Sequence, residues 1–124
     1  MIILYLDNSA TTPILEEVRQ KMMTYLDQQY GNPSSKYYDL AVHAKEAIDE
    51  ARENVASLIN SKTKEIIFTS GATESNNTVL KGVADYYRNL GNHIITSKVE
   101  HPSVKEVCEY LEERGFEITY LDVD

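Results

Sequence analysis

The feature that most constrains the fold is a regular alternation of strand-like and helix-like segments in the second half of the chain. Between residues 65 and 121, short apolar runs typical of buried strands alternate with longer stretches whose apolar residues recur every three or four positions. Gly91 and Gly115 follow the two helical stretches, at places where a helix commonly ends. This β-α-β-α-β order predicts an α/β fold with a mostly parallel sheet and right-handed crossovers. The predicted elements are strand 65–69, helix 73–90, strand 93–97, helix 102–114 and strand 116–121.

The first half of the chain is predicted to be mainly helical. Residues 2–6 are apolar enough for a short strand. Thr12 followed by Pro13 is a favourable helix start, and Gly31 is placed to end that helix. A second helix is predicted over 39–60, with an apolar stripe whose many alanines indicate close packing.

Composition limits the kinds of partner that the chain can bind. The 124 residues carry a formal net charge of −8, which argues against a nucleic-acid or anionic-membrane binder but leaves room for a local anion site. The single cysteine, Cys108, excludes an internal disulfide framework and is typical of a reducing compartment. The N-terminal residues lack the features of a signal peptide, and no apolar stretch reaches the roughly 20 residues that span a bilayer. We therefore expect a soluble, cytoplasmic protein.

The loop between the first predicted strand and its helix has the parts of a phosphate site. Gly71 allows the backbone to turn sharply and to approach a ligand, and the small Ala72 leaves space beside it. The amides of the first helical turn are available to an anion, and the Thr73 hydroxyl can donate one more hydrogen bond. The alternative is that Thr73 serves only as the helix N-cap, a common role for threonine.

His101 is the second candidate residue. It follows the next strand of the predicted sheet, and ligands of parallel sheets bind beyond the carboxyl ends of the strands. A neutral imidazole there could stack on a flat ligand or move a proton, or it could simply form local hydrogen bonds in its loop. A phosphate cradle next to a ring partner suggests a phosphorylated aromatic cofactor, which could be pyridoxal phosphate, a flavin or a nucleotide.

The other histidines and the cysteine are predicted to be structural. His43 lies among alanines on the second helix, and His93 opens a strand. Cys108 shares a helix face with Val104 and Leu111, as expected of a small buried core residue rather than a reactive thiolate. The spacing of these residues matches no metal signature.

Several motifs occur in an order that resembles one enzyme family. They are YLDNSATTP, YGNPSS, EIIFTSGATESNN, KGVA, HIITSKVEH and LEERGFEITYL, and they extend over the whole chain. Together they are similar to the N-terminal part of cysteine desulfurases of the NifS/IscS type. Those proteins are pyridoxal-phosphate transferases of aminotransferase class V with the fold-type I architecture.

The resemblance implies roles for individual residues. Ala72 and Thr73 match the positions that bind the cofactor phosphate. His101 matches the histidine that stacks on the pyridine ring and assists proton transfers on the substrate. Residues 8–12 match a stretch near the substrate side of the cleft. Cys108 does not match the catalytic cysteine, which lies farther along the chain in that family.

The resemblance also implies an activity and partners. Sulfur would be taken from L-cysteine, leaving alanine and an enzyme-bound persulfide, which supplies a sulfur acceptor such as an iron–sulfur scaffold or serves thio-modification of nucleic acids. The expected assembly is a homodimer, or a fold completed by a second chain, with no direct contact to nucleic acid or membrane. Within this chain, residues 1–60 would form an N-terminal segment with helices, and 61–124 would begin the large cofactor-binding domain.

The sequence departs from the family pattern in two respects. The family has a histidine shortly after NPSS and a glycine before the next helix, where this chain has SSKYYDLAVHAKEA with Ala41 in that region. In addition, the family's Schiff-base lysine and sulfur-accepting cysteine correspond to no residue here, and neither Lys98 nor Lys105 is marked as a replacement. The isolated chain is therefore expected to be inactive. Alternative interpretations are part of another class V enzyme, such as a selenocysteine lyase or carbon–sulfur lyase, or a non-catalytic remnant that acts as an interaction module.

Overall fold

The computed structural model describes residues 4–124, and this part of the chain forms two compact units that divide after Ile66. The first unit contains helix α1 (Glu16–Asp27), helix α2 (Asp39–Leu58) and a 3₁₀ turn (Thr63–Glu65). The second contains helix α3 (Ala72–Tyr87), strand β1 (His93–Ser97), helix α4 (Pro102–Glu112) and strand β2 (Glu117–Leu121). None of the helices in residues 4–124 is long and apolar enough to cross a membrane.

Helix α1 begins later than the sequence predicts. Its N-cap position is Leu15, without a side-chain cap, so the expected cap at Thr12 is wrong. Instead, Glu16 stabilises the first turn, because its carboxylate accepts hydrogen bonds from Arg19 at 2.6 and 2.9 Å and from Gln20 at 3.0 Å. The predicted strand 2–6 lies partly outside the described residues, and residues 4–6 are not in a strand.

Gly31 has a different function from the predicted one. Helix α1 already ends at Asp27, so Gly31 does not terminate it. A Cβ atom at Gly31 would overlap the carbonyl group of Leu40 and would lie 2.8 Å from the amide nitrogen of Ala41. Because Ala41 is fully buried at the start of α2, the glycine permits a close approach of two backbone segments.

The core of the first unit is built from small side chains on α2. The buried residues of that helix are Ala41, Ala44 and Ala56. The predicted apolar stripe is therefore buried only at Ala41 and Ala44, since its later members Ala51, Val55 and Leu58 are exposed. Arg52 forms an ion pair with Asp49 at 3.3 Å and donates from Nε to the carbonyl oxygen of Ile66 at 3.3 Å. These contacts connect the middle of α2 to the last residue of the unit.

The second unit has an α/β arrangement with one pair of parallel strands. Strand β1 pairs in parallel with β2, from His93 opposite Glu117 to Ser97 opposite Leu121, and α4 connects them. Because the strands are parallel, the chain crosses over through α4 before it returns as β2. The loop that leads into α4 starts at the carboxyl end of β1. The core lies between the helices and the strands and consists of Ala84, Val107, Leu111 and Phe116, with Leu80, Ile94 and Ile118 against it.

The predicted strand 65–69 is not present. Glu65 belongs to the 3₁₀ turn, and residues 66–69 lie outside any strand although Ile66 has extended dihedral angles of −93° and 122°. A strand requires hydrogen bonds to a neighbouring strand, and the sheet within residues 4–124 consists of β1 and β2 alone. Ile67 is 74% exposed, so the apolar run that suggests a buried strand is not buried by this chain. The α/β class with a parallel sheet is nevertheless confirmed.

Candidate cofactor-binding site

The start of α3 presents free backbone donors. Gly71 is the N-cap residue and has no side chain with which to cap, and Ala72 and Thr73 are the first two helical residues. The amide of Ser75 donates to the carbonyl oxygen of Gly71 at 3.1 Å and closes the first turn. Within residues 4–124, the amides of Ala72, Thr73 and Glu74 have no hydrogen-bond acceptor. Thr73 is therefore not the N-cap, and the helix end can receive an anion.

Side chains on both sides of Gly71 fix the shape of this loop. The Glu74 carboxylate accepts from the amide of Ser70 at 2.6 Å and from its hydroxyl at 2.7 Å. The bond from the Ser70 hydroxyl contributes most and the bond from the Ser70 amide contributes next to holding the pKa of Glu74 below its ordinary value. This carboxylate therefore stays ionised. The hydroxyls of Thr69 and Ser75 lie 2.7 Å apart, and that of Thr69 also donates to the carbonyl of Gly71 at 3.2 Å. The loop is thus held by its own side chains.

His101 caps helix α4. The sequence contains the reason, since Pro102 occupies the first helical position and the residue before it becomes the N-cap. The Nδ1 atom of His101 accepts from the amide of Ser103 at 3.1 Å and lies 2.9 Å from the Ser103 hydroxyl. The alternative in which His101 forms local hydrogen bonds therefore holds for Nδ1. The imidazole ring as a whole remains exposed.

Thr73 and His101 line the same cleft between α3 and α4. Its volume is about 380 Å³, within the range of small-molecule sites, and Asn77, Lys81 and Tyr110 also line it. The Lys81 ammonium lies 4.8 Å from the centroid of the Tyr110 ring, so the cleft has a positive charge along one wall. The two candidate residues, which lie 28 positions apart in the chain, thus line one cleft. Ala72 lies beside this cleft at the helix start but does not line it.

The remaining candidates stay outside the cleft. His43 is exposed on α2, and His93 pairs through Nε2 with the Thr119 hydroxyl at 2.8 Å. Cys108 is fully buried, and its pKa is raised first by burial and then by Glu100, Glu109 and Glu112, so it is a core residue as expected. Lys98 forms an ion pair with Asp122 at 2.7 Å.

The described ranges contain no metal-binding cluster of histidine, cysteine and carboxylate groups. Residues 8–12 belong to the first unit and are exposed there.

Two residues of the site are missing from the sequence-based prediction. Ser103 contacts His101, and the side-chain amide of Asn76 donates to the Ser103 hydroxyl at 2.9 Å. Ser103 could have been identified, because an N-cap side chain bonds the amide of the second or third helical residue. Asn76 could not, since its contact joins two helices across 27 positions in the chain.

Comparison with known proteins gives consistent matches over nearly the whole chain. The sequence pattern of the family described as aminotransferase class V matches residues 4–124. The cysteine desulfurase IscS of Shewanella amazonensis is 53% identical over 121 residues, which are 96% of this chain and 30% of that protein. Among solved structures, a NifS-like protein superposes with a TM-score of 0.90 and 38% identity, over 97% of this chain and 33% of the other.

A further solved structure, described as SspA in complex with cysteine, has a TM-score of 0.86 and 39% identity, over 94% of this chain and 33% of that one. The chain thus spans about a third of the length of the proteins that it matches.

Proposed function

This chain belongs to the aminotransferase class V family, and on that basis we propose that it forms the N-terminal part of a pyridoxal-phosphate-dependent cysteine desulfurase. The observation that carries the proposal is the cleft in which Thr73, at the start of α3, and His101, at the start of α4, face the same space. Named cysteine desulfurases at about 50% identity and NifS-like structural neighbours support it. The proposed role of residues 61–124 is to begin the cofactor-binding domain.

In this proposal, the start of α3 holds the cofactor phosphate. The free amides of Ala72 and Thr73 and the Thr73 hydroxyl donate to it, and the positive end of the helix dipole favours its charge. The residues present fit such a group, because the loop is fixed by Ser70 and Glu74 and leaves these donors available. Pyridoxal phosphate, when bound, supplies an electron sink for charge that develops on the substrate carbons.

His101 has the proposed role of ring partner and proton carrier. Its imidazole is exposed at the cleft, and only Nδ1 is occupied by hydrogen bonds within the described residues. Nε2 is then available to exchange a proton with a bound ligand.

The proposed overall reaction converts L-cysteine and a protein thiol into L-alanine and a protein persulfide. The carbon–sulfur bond of cysteine breaks, a sulfur–sulfur bond to the thiolate forms, and the substrate carbon gains a proton. Cys108 is unsuited to be that thiol, because it is buried and its raised pKa keeps it protonated. The accepting cysteine would therefore belong to another part of the protein. An iron–sulfur scaffold as sulfur acceptor, a homodimer and a cytoplasmic location are parts of the same proposal.

The test uses the full-length protein that contains this chain, loaded with pyridoxal phosphate. With L-cysteine and a reductant, we expect equal amounts of alanine and sulfide, and without the reductant a persulfide on the enzyme. The 124-residue chain alone serves as the control and should release no sulfide. Formation of pyruvate and ammonia instead of alanine would identify a carbon–sulfur lyase, and turnover restricted to L-selenocysteine would identify a selenocysteine lyase; either result overturns the proposal.

A further inference from the structure

Three polar side chains form a continuous hydrogen-bond chain from α3 to the cleft. The Asn76 amide donates to the Ser103 hydroxyl at 2.9 Å, and that hydroxyl lies 2.9 Å from Nδ1 of His101. The amide of Ser103 reaches the same Nδ1 atom at 3.1 Å. Ser103 is only 7% exposed and is the one buried polar residue among the core positions of the described chain, so its hydroxyl requires partners.

The backbone amide of Ser103 fixes the directions of these hydrogen bonds, because it can only donate. A backbone N–H only donates, so the Ser103 amide requires a lone pair on Nδ1 of His101. A neutral imidazole with a lone pair on Nδ1 carries its proton on Nε2. The Ser103 hydroxyl then donates to Nδ1 as well, and its oxygen remains free to accept from Asn76. All three bonds agree with one tautomer.

We propose that Ser103 and Asn76 are positioning residues that hold His101 in its Nε2–H tautomer and fix its ring at the cleft. The expected effect on catalysis rests on the proposed function, whereas the tautomer of His101 follows from the hydrogen bonds alone. Because Nδ1 is committed to the start of α4, any proton that His101 exchanges with a ligand passes through Nε2. The hydroxyl of Ser103 links this ring to the neighbouring helix, so that α3 and α4 set its orientation together.

The first test is histidine ¹⁵N NMR of the full-length protein, with the His101 signal assigned by its loss in His101→Gln. At pH 8.5 we expect a single Nε2–H tautomer. In Ser103→Ala the hydroxyl donor to Nδ1 is lost and the backbone amide donor remains, so the spectrum should shift part of the way toward the tautomer mixture of free histidine. Ser103→Thr, which keeps the hydroxyl, should restore the single form. Ser97→Ala is the matched control, since the Ser97 hydroxyl bonds Glu100 at 3.1 Å rather than His101.

A second variant keeps the test decisive if Ser103→Ala fails to fold. Asn76→Asp preserves size but replaces the donor by an acceptor, so the Ser103 hydroxyl should turn away from Nδ1 and the same partial tautomer shift should appear. For the reaction with L-cysteine, we expect kcat about tenfold lower in both variants with little change in KM or cofactor content, as for other outer partners of a functional histidine.

A wild-type tautomer in both variants would overturn the inference, as would equal effects of Ser97→Ala and Ser103→Ala. A protein that shows the expected tautomer shift but no desulfurase activity in the wild type would support the positioning and reject the proposed function, so the two failures are distinguishable.

Discussion

At the scale of single residues, Thr73 combines a hydroxyl with backbone donors that its helix leaves without acceptors. If these groups bind the cofactor phosphate, Thr73→Ala removes one hydrogen bond to a charged group, which is worth about 1.5–3 kcal/mol. We expect the dissociation constant of pyridoxal phosphate to rise by about tenfold to a hundredfold. A titration of the full-length apoprotein, followed by absorbance, measures it.

The matched control for this substitution is Thr78→Ala on the exposed side of the same helix. It changes helix propensity in the same way but removes no donor from the cleft, so its cofactor affinity should equal that of the wild type. Equal affinities in Thr73→Ala and the wild type would reject the phosphate role of Thr73.

The site illustrates which residues a sequence can identify. Thr73 and His101 could be predicted because each lies at the start of a helix a few residues after a recognisable apolar run. The predicted parallel strand before Thr73 is absent, and the two residues instead line one cleft between α3 and α4. The capping role of His101 is also local, since it depends on Pro102. Asn76 was missed because its side-chain contact depends on how α3 and α4 cross, and no spacing within either helix encodes that distance.

At the scale of elements, the end of α4 is explained completely by the residues next to it. Gly115 has φ of +88°, its amide donates to Glu112 at 3.0 Å, and the amide of Phe116 donates to Leu111 at 3.2 Å. This is the bonding of a Schellman motif, and its usual apolar contact is present because Leu111 and Phe116 share the core. The glycine that the sequence predicts as a helix end therefore also directs the chain into β2.

Substitution of Gly115 should destabilise this connection. We expect Gly115→Ala to lower the free energy of unfolding by about 1–2 kcal/mol, because a Cβ atom disfavours positive φ. No atom lies within 4 Å of the added methyl group, so the loss would come from backbone strain alone. Gly115→Asn, which tolerates the left-handed region better, should lose less. Urea denaturation of the full-length protein measures both, and an unchanged midpoint in Gly115→Ala would contradict the assignment.

Strand prediction differs from helix-end prediction because a strand depends on a neighbour. The bounds of β1, His93–Ser97, agree with the predicted segment, and β2 differs by one residue at its start. Each of these two strands is hydrogen-bonded to the other. The equally apolar residues 66–69 have an extended backbone at Ile66 but no place in this sheet, so composition alone could not determine their state.

At the scale of the whole molecule, the two units bury little apolar volume. Among residues 4–66 of the first unit the buried residues are alanines, and the core of the second centres on Val107, Leu111 and Phe116. Large apolar side chains remain outside, including Leu58 at 84% and Leu90 at 85% exposure. Small cores give marginal stability, and extended apolar surface marks places where another protein surface binds. This agrees with a chain that spans about a third of the proteins that it matches.

The 124-residue chain alone is therefore expected to self-associate. Its net charge of −8 opposes association only weakly at physiological salt, where the Debye length is about 8 Å, whereas exposed apolar side chains attract one another at contact. Light scattering during gel filtration should show oligomers, and the chain should bind the dye ANS more strongly than the full-length protein does. Leu58→Lys and Leu90→Lys should reduce both signals, since each replaces an exposed leucine by a charge. A monomeric chain that binds no dye and unfolds cooperatively would show that these surfaces need no partner, and the argument from burial would fail.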